Sequence, residues 1–471
     1  MASSSLARTS RNGAFSKTRF ADIALLLTYA SITSLLVKSA TLLEHLGYHY
    51  IQPGGFPWEK FHPGTLMACC ALGARILAAD NVKAEARRLL ATDPLISLYL
   101  FSLAIAAAHA IVITKNPVSG LVDTFLLPVI LIALTKDLDP RIRRSLALLV
   151  CVFMGANACI ALVEYLTGWR LVPVVVNFRV PGPGEAPDPD TDPGALAALF
   201  DWRATALLGH PLENALMTGA LILCLASPGT RWLRPIVRFP LIGLSLLALV
   251  AFGGRSSLVL TIAGVVLFGV AAAARHLAAG RPVSRRALAV TLFSLPAVGV
   301  VVWLAIASGF FDRLVMRFIE DSGSAEARLQ MWDMFQPFTT TDILLGPDPD
   351  VMSVQQHLLG LELGIESFWI GLTLAYGLIV ASMMFIGLGL LALRVALSSG
   401  PGGTAIMVYF FVNASTSTSL SSKTTTFGLV ILFVILLLQK DRRSDILVPG
   451  LYASQPEHER GRVTGQLFRR R

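Results

Sequence analysis

The chain has 471 residues, 54% of them hydrophobic and only 15% charged, with a net charge of +9. A soluble globular chain carries about 25% charge, so most of this one faces something other than water and a soluble-domain reading is excluded. The basic excess does not mark a nucleic-acid binder, because the lysines and arginines concentrate in alternate loops between apolar runs.

Those runs, long enough or nearly so to cross about 30 Å of hydrocarbon, fall at 21–37, 64–79, 94–114, 118–135, 145–166 and 211–227. Six more follow at 239–252, 256–274, 287–308, 367–393, 404–418 and 426–439, of which the first and the last two are short. They predict an all-α polytopic membrane protein of about a dozen helices, a single integral membrane domain over 1–471. No internal repeat is visible. The five cysteines (Cys69, Cys70, Cys151, Cys159, Cys224) all lie inside apolar runs. That is neither a disulfide framework nor a zinc-ligand spacing, and they read as small buried residues.

Lysine and arginine set the orientation. Arg8, Arg11, Lys17 and Arg19 precede the first run, which reads as a retained helix because Lys38 and no small-residue cleavage site follow it. Every second loop is then basic: Lys83, Arg87 and Arg88; Lys136, Arg141, Arg143 and Arg144; Arg231, Arg234 and Arg238; Arg275, Arg281, Arg285 and Arg286. The tail 440–471 adds Lys440, Arg442, Arg443 and a terminal arginine run. Both termini are therefore expected in the cytoplasm, with the long loops 167–203 and 309–366 external. Segment 181–194 is rich in Pro, Gly and Asp and reads as irregular loop. In 310–320, Phe311, Leu314, Val315, Phe318 and Ile319 share one helical face, which predicts an amphipathic helix on the membrane surface. A second helix is expected from Ser324 as N-cap to Phe335, stopped by Pro337. The Ser/Thr-rich stretch 415–426 falls in the last external loop, its hydroxyls read as satisfied polar groups at a helix end.

Three arginines stand on the outer side: Arg203 in Arg-Ala-Thr-Ala-Leu-Leu-Gly-His-Pro (203–211), Arg255 in Gly-Gly-Arg-Ser-Ser (253–257), and Arg328, four residues before Trp332. Each can be read as snorkelling or pairing with a loop carboxylate. Together they can be read as a pocket for a polyanion, since guanidinium grips phosphate at two points and stays charged. His210 before Pro211, and Glu366 in Gly-Ile-Glu-Ser-Phe-Trp (364–369), are either local helix-start residues or groups that take a proton from an attacking hydroxyl.

In order and topology these stretches resemble the O-antigen ligase and polysaccharide polymerase superfamily. Four carry the resemblance: Arg203 with Gly-His-Pro-Leu-Glu-Asn (209–214), Arg255-Ser256, Arg328 with Trp332, and Glu366-Ser-Phe-Trp with Tyr376-Gly377-Leu-Ile. The resemblance implies a helical C-type glycosyltransferase fold in a bacterial inner membrane. It also implies metal-independent, cofactor-free transfer of a glycan from a polyprenyl-diphosphate carrier to a hydroxyl acceptor on the periplasmic face. Carried over, Arg255, Arg328 and Arg203 would hold the diphosphate and Glu366 would be the base. His210 would be a second catalytic-site group, with Trp332, Asn214 and Ser256 lining the site. A flippase and a chain-length regulator are the implied protein partners. Two departures matter. Many relatives, ligases especially, carry histidine and then asparagine where Glu366 and Ser367 stand, and the glycine-rich stretch before that base is reduced to Leu-Gly-Pro-Asp-Pro-Asp (345–350). The first favours a polymerase of exopolysaccharide, capsule or O-antigen repeat units over a ligase acting on a lipid core. A transporter or flippase of lipid-linked sugars is the reading from another class. It expects ionisable groups near the midplane and two related halves.

Overall fold

A computed structural model describes residues 3–52, 54–90, 93–171, 203–280, 299–300, 303, 306–311, 330–361 and 365–438, with the helical backbone alone for 3–17. Among the described residues all regular structure is helical. The helices are α1 Ser3–Val37, α2 Ala40–His45, α3 Pro63–Leu77, α4 Val82–Leu90, α5 Pro94–His109, α6 Leu127–Thr135 and α7 Pro140–Thr167. They continue with α8 Pro211–Ala226, α9 Pro235–Phe252, α10 Arg255–Ala278, α11 Thr340–Leu345, α12 Pro349–Leu358, α13 Phe368–Ala414 and α14 Thr426–Leu438. Two π-helical stretches, Ala110–Thr114 and Leu121–Leu126, prolong α5 and lead into α6. Proline opens many of these helices because its missing N–H is an orphan in the first turn anyway. The residue before it caps: Asp93 accepts from the Leu95 N–H (3.1 Å) and Asp139 from the Arg141 N–H (2.7 Å).

Among the described residues six helices are long and apolar enough to cross a membrane: Thr18–Val37, Pro94–Thr114, Pro140–Thr167, Pro235–Phe252, Arg255–Ala278 and Phe368–Ala414. Four shorter apolar ones are Pro63–Leu77, Leu121–Thr135, Pro211–Ala226 and Thr426–Leu438. The long ones leave apolar faces uncovered, as in α10 with Val259, Ile262, Val266, Leu267 and Val270, which is what a lipid-facing helix requires. The chain is therefore a helical, membrane-embedded protein. Of the predicted spans, 287–308 lies almost wholly outside the described residues, as do most of the surface helix 310–320, loop 172–202 and the tail after 438. The helix expected to reach Phe335 ends at Asp333, where Phe335 and Gln336 turn back onto the Trp332 and Asp333 carbonyls (3.2 and 3.1 Å).

Hydrogen bonds sort the connections into two groups, one at each end of the bundle. At the first end the Arg75 guanidinium donates to the carbonyls of Ala133, Leu134 and Lys136 (2.8, 2.9 and 2.7 Å), satisfying the C-terminus of α6. There too Arg88 pairs with Asp137 (3.3 Å), Arg394 with Asp93, and the Trp232 indole donates to the Leu437 carbonyl (3.3 Å). At the other end the segment 415–425 bonds to 38–62 and to 365–367, and Gly209 of the 203–210 loop packs against Ser39 and Thr41. Lys423 reaches Tyr50, Thr424 reaches Glu213, and the Ser421 hydroxyl donates to the Ile365 carbonyl (2.5 Å).

Three of the short apolar helices, Pro63–Leu77, Leu121–Thr135 and Pro211–Ala226, have 15 or 16 residues and measure roughly 22–24 Å against about 30 Å of hydrocarbon. These three and α14 all begin at the second end, and their N-termini form its floor.

Helix α13 deepens this picture. Gly377 (φ 74°, ψ 155°) and Gly400 (φ 69°, ψ −161°), the latter followed by Pro401, break it into 368–376, 378–399 and 401–414. The Phe368 and Trp369 rings lie 5.8 and 4.7 Å from the Phe385 ring, whereas residues so far apart in an unbroken helix are separated by about 25 Å. The stretch 368–376 therefore folds back along 378–385 as a re-entrant hairpin. Its tip at Gly377 presses on the backbone of Leu344–Gly346, and Asn116 donates to the Ala375 carbonyl freed by the break (2.6 Å). Glu366 precedes the buried end of this hairpin, about 12 Å below the tip.

Candidate functional site

The floor is organised by Asp123, in the first turn of Leu121–Leu126 and fully buried. It accepts from the Tyr50 hydroxyl (3.0 Å) and from the His62 N–H (3.0 Å), and the Lys423 ammonium lies 4.0 Å away. That ammonium also donates to the carbonyls of Tyr50 (2.8 Å) and Lys60 and sits 3.7 Å from the Tyr50 ring centre. A cation held by carbonyls, a carboxylate and an aromatic face is well satisfied despite its burial. Burial nevertheless pulls the Lys423 pKa down to about 8, against the pull of Asp123. Burial, followed by Asp123, pushes the Tyr50 phenol well above its usual value.

His62 caps α3. Its Nδ1 accepts from the Gly64 N–H (3.0 Å), so Nε2 carries the proton and donates to the Lys38 carbonyl (2.6 Å). Burial first, then the charges of Lys38 and Lys423, lower its pKa to about 4, partly offset by that carbonyl bond. The ring is neutral at physiological pH.

Beside this cluster opens a cavity of about 40 Å³, lined among others by Lys38, Ser39, His62, Glu213, Lys423 and Thr424. Glu213 enters it from the first turn of α8 and accepts from the Thr424 hydroxyl (2.7 Å). Thr424 in turn accepts from the Thr426 N–H (3.2 Å), and its own N–H donates to the Thr124 hydroxyl (3.1 Å). The helix starts of α3, α8, α14 and the Leu121–Leu126 turn all contribute to this cluster, and each presents the positive end of its dipole to it.

The segment carrying Arg203 is clamped from three sides. Buried Glu164, in the last turn of α7, accepts from the N–H groups of Thr205 (2.8 Å), Ala206 (2.9 Å) and Leu171 (2.9 Å). Asn157 accepts from Leu207 N–H (2.8 Å) and donates to Asn214 (2.9 Å). Asn214 donates to the Thr205 and His210 carbonyls (2.5 and 3.1 Å). The Ala204 N–H reaches the Ala251 carbonyl (3.1 Å), and Gly254 packs against Ala215 with no room for a side chain. These contacts bring the backbone of Arg203 to the α9–α10 corner from which Arg255 starts α10. Asn214, expected to line the site, is fully buried and braces the 205–210 loop instead. Ser256 is exposed, while its neighbour Ser257 donates to Asn413 (2.9 Å). His210 is the N-cap of α8, and burial takes its pKa down to about 4.

Trp332 is exposed, but Met331 and Met334 beside it pack with Leu361, Ile365, Ile370 and Leu374, the residues that bracket Glu366. Glu366 itself is half-buried, between Ile365, which is bonded to Ser421, and Trp369, whose indole donates to the Ser415 hydroxyl (2.9 Å). Arg328 lies outside the described residues. The structure thus gathers Arg203, His210, Arg255, Glu366 and the Trp332 segment at one end of the bundle. Asp123, Lys423, His62 and Tyr50 at its floor were not singled out from sequence, and Glu213 was read only as part of the 209–214 motif, with no role of its own. The available signal was an acidic residue three positions into each of two apolar helices, and a lone lysine in a hydroxyl-rich loop. Among the described residues no cluster of His, Cys, Asp and Glu suits a metal ion.

No family profile and no curated protein matches the chain.

Proposed function

We propose that the protein is a membrane glycosyltransferase that polymerises polyprenyl-diphosphate-linked oligosaccharide repeat units on the periplasmic face of a bacterial inner membrane. In this reading it has about twelve spans, cytoplasmic termini, and a donor that enters from the bilayer. One observation carries it: the segments bearing Arg203, Arg255 and Glu366 meet above a floor formed by helix N-termini. Guanidinium groups and helix N-termini are what a diphosphate needs. A diphosphate leaves without a proton, so a cationic cradle and one base are sufficient for transfer, and stabilising the charge that grows on the leaving group is typically the largest catalytic contribution. Arg203, Arg255 and Arg328 hold the diphosphate. A carboxylate at this end, Glu366 by the family resemblance, accepts the proton of the attacking hydroxyl. His210, neutral, lines the site.

A ligase that passes the glycan to a lipid core uses the same parts and differs only in acceptor. Transport has one observation in its favour. A helix broken at Gly377 and buried ionisable groups at Asp123 and Lys423 are features on which transporters build sites.

One experiment separates the classes. Purified protein in lipid, given a synthetic diphosphate-linked repeat unit with chelator and no ion gradient, is expected to lengthen it. Gradient-driven movement of the glycolipid with no elongation overturns the enzyme reading. Reporter fusions after residues 190, 325 and 460 test the orientation: a cytoplasmic signal at 325 puts the arginines in the wrong compartment.

A further inference from the structure

We infer that Glu213, rather than Glu366, is the base, and that the cavity beside it admits the hydroxyl of the acceptor sugar; this rests on the glycosyl-transfer reading above. The cavity, at about 40 Å³, has room for roughly three waters. It can therefore take one hydroxyl-bearing arm of a sugar but not the ring, which would remain above the floor.

Elimination among its lining groups leaves one proton acceptor. The Lys423 ammonium is spent on two carbonyls and Asp123. Both His62 nitrogens are engaged, one by the Gly64 N–H and one by the Lys38 carbonyl. Ser39 and Thr424 offer only hydroxyls, and Lys38 only a cation. Glu213 is the single carboxylate on the wall, and among the described residues it makes no ion pair that would tie it up. The Thr424 hydroxyl, 2.7 Å away, fixes the orientation of one carboxylate oxygen.

Glu213 is also three residues from His210, on the helix whose start the Arg203 clamp holds. In the step, the hydroxyl oxygen bonds to the anomeric carbon while its proton passes to the Glu213 carboxylate. The bond from that carbon to the diphosphate oxygen breaks, and its electron pair leaves on the diphosphate. Glu366, half-buried on the 365–367 stretch, is not among the residues that line this cavity.

The test uses full-length protein in proteoliposomes, elongating a synthetic polyprenyl-diphosphate repeat unit with chelator present. Glu213→Gln keeps the shape and still accepts from Thr424. It is expected to lower kcat by about 100-fold or more with the donor KM nearly unchanged. Glu213→Asp is expected to keep partial activity with a displaced acid limb in the pH profile. The other titratable groups on the cavity wall are Lys38, Tyr50, His62 and Lys423. If Glu213→Gln inserts poorly, Thr424→Val decides, because losing the orienting hydroxyl displaces the same limb if Glu213 is the base and leaves it in place if it is not. An active parent with a fully active Glu213→Gln overturns the assignment and leaves glycosyl transfer standing. A parent that elongates nothing overturns the reading beneath both.

Discussion

The two ends of the bundle solve the same problem in opposite ways. Both must satisfy helix termini that have no partners of their own. The basic end does so with arginines: half-buried Arg75 on the α6 carbonyls, and Arg88 between Glu85 and Asp137 with its side chain 48% exposed. The polar end relies mainly on buried carboxylates, with Glu164 on three N–H groups and Asp123 on the His62 N–H, joined by half-buried Lys423 on two carbonyls. Water can replace the contacts of Arg88 and cannot replace those of Glu164 or Asp123. Rigidity is thus concentrated where the fold gathers its arginines and carboxylates.

Lys423→Met should break this contrast most severely. It leaves Asp123 buried without its cation, at a cost of about 3–5 kcal/mol, visible as a large drop in the melting temperature of the solubilised protein. Glu164→Ala comes next. It strips the Arg203 loop of its acceptor and should cost about 1–3 kcal/mol per N–H left unsatisfied, with elongation falling further than stability alone accounts for.

Acid sharpens the comparison through the histidines. His62 and His210 titrate near 4 when folded and near 6.5 when unfolded. The unfolded chain therefore binds more protons between those values, and stability falls as pH drops from about 6.5 to about 4. His62→Gln and His210→Gln should each flatten that slope in a pH series of thermal melts. The smallest effect belongs to Arg88→Ala, below about 0.5 kcal/mol for an exposed pair. If it matches Lys423→Met, the two ends do not differ as described.

How much of this was legible depends on the kind of signal. Apolar runs and alternating basic loops are strong sequence signals, and the helices and the grouping of their ends follow them. Arg203, Arg255 and Glu366 stood out because charge is rare on that side. The clamp that positions Arg203 did not, since Glu164 and Asn157 read as ordinary residues of a long apolar helix and act on backbone distant in sequence. The hairpin at Gly377 was equally hidden: 367–393 is apolar throughout, and a glycine there looks the same whether the helix continues or turns back. Asp123 escaped notice because it falls just inside an apolar run, where a single acid changes the average little, and Glu213, though inside the 209–214 motif, was given no role for the same reason. The helix α4 was concealed in what reads as a basic loop.

The short helices also bear on how such a chain enters a bilayer. A segment of 15 or 16 residues is a poor stand-alone insertion signal, because its ends would drag unsatisfied backbone groups into hydrocarbon. In this chain three such segments each follow a longer neighbour: α3 after α1, the α6 stretch after α5, and α8 after α7. The first pair is zipped along its length, with the Ser31 hydroxyl on the Gly64 carbonyl (2.7 Å) and Leu35 filling the notch at Gly64. Long and short helices can then leave the ribosome and partition as hairpins, the long arm carrying the hydrophobic driving force for both. The α6 and α8 arms end up buried among their neighbours, while α3 keeps one face, with Cys69, Cys70 and Leu77, exposed.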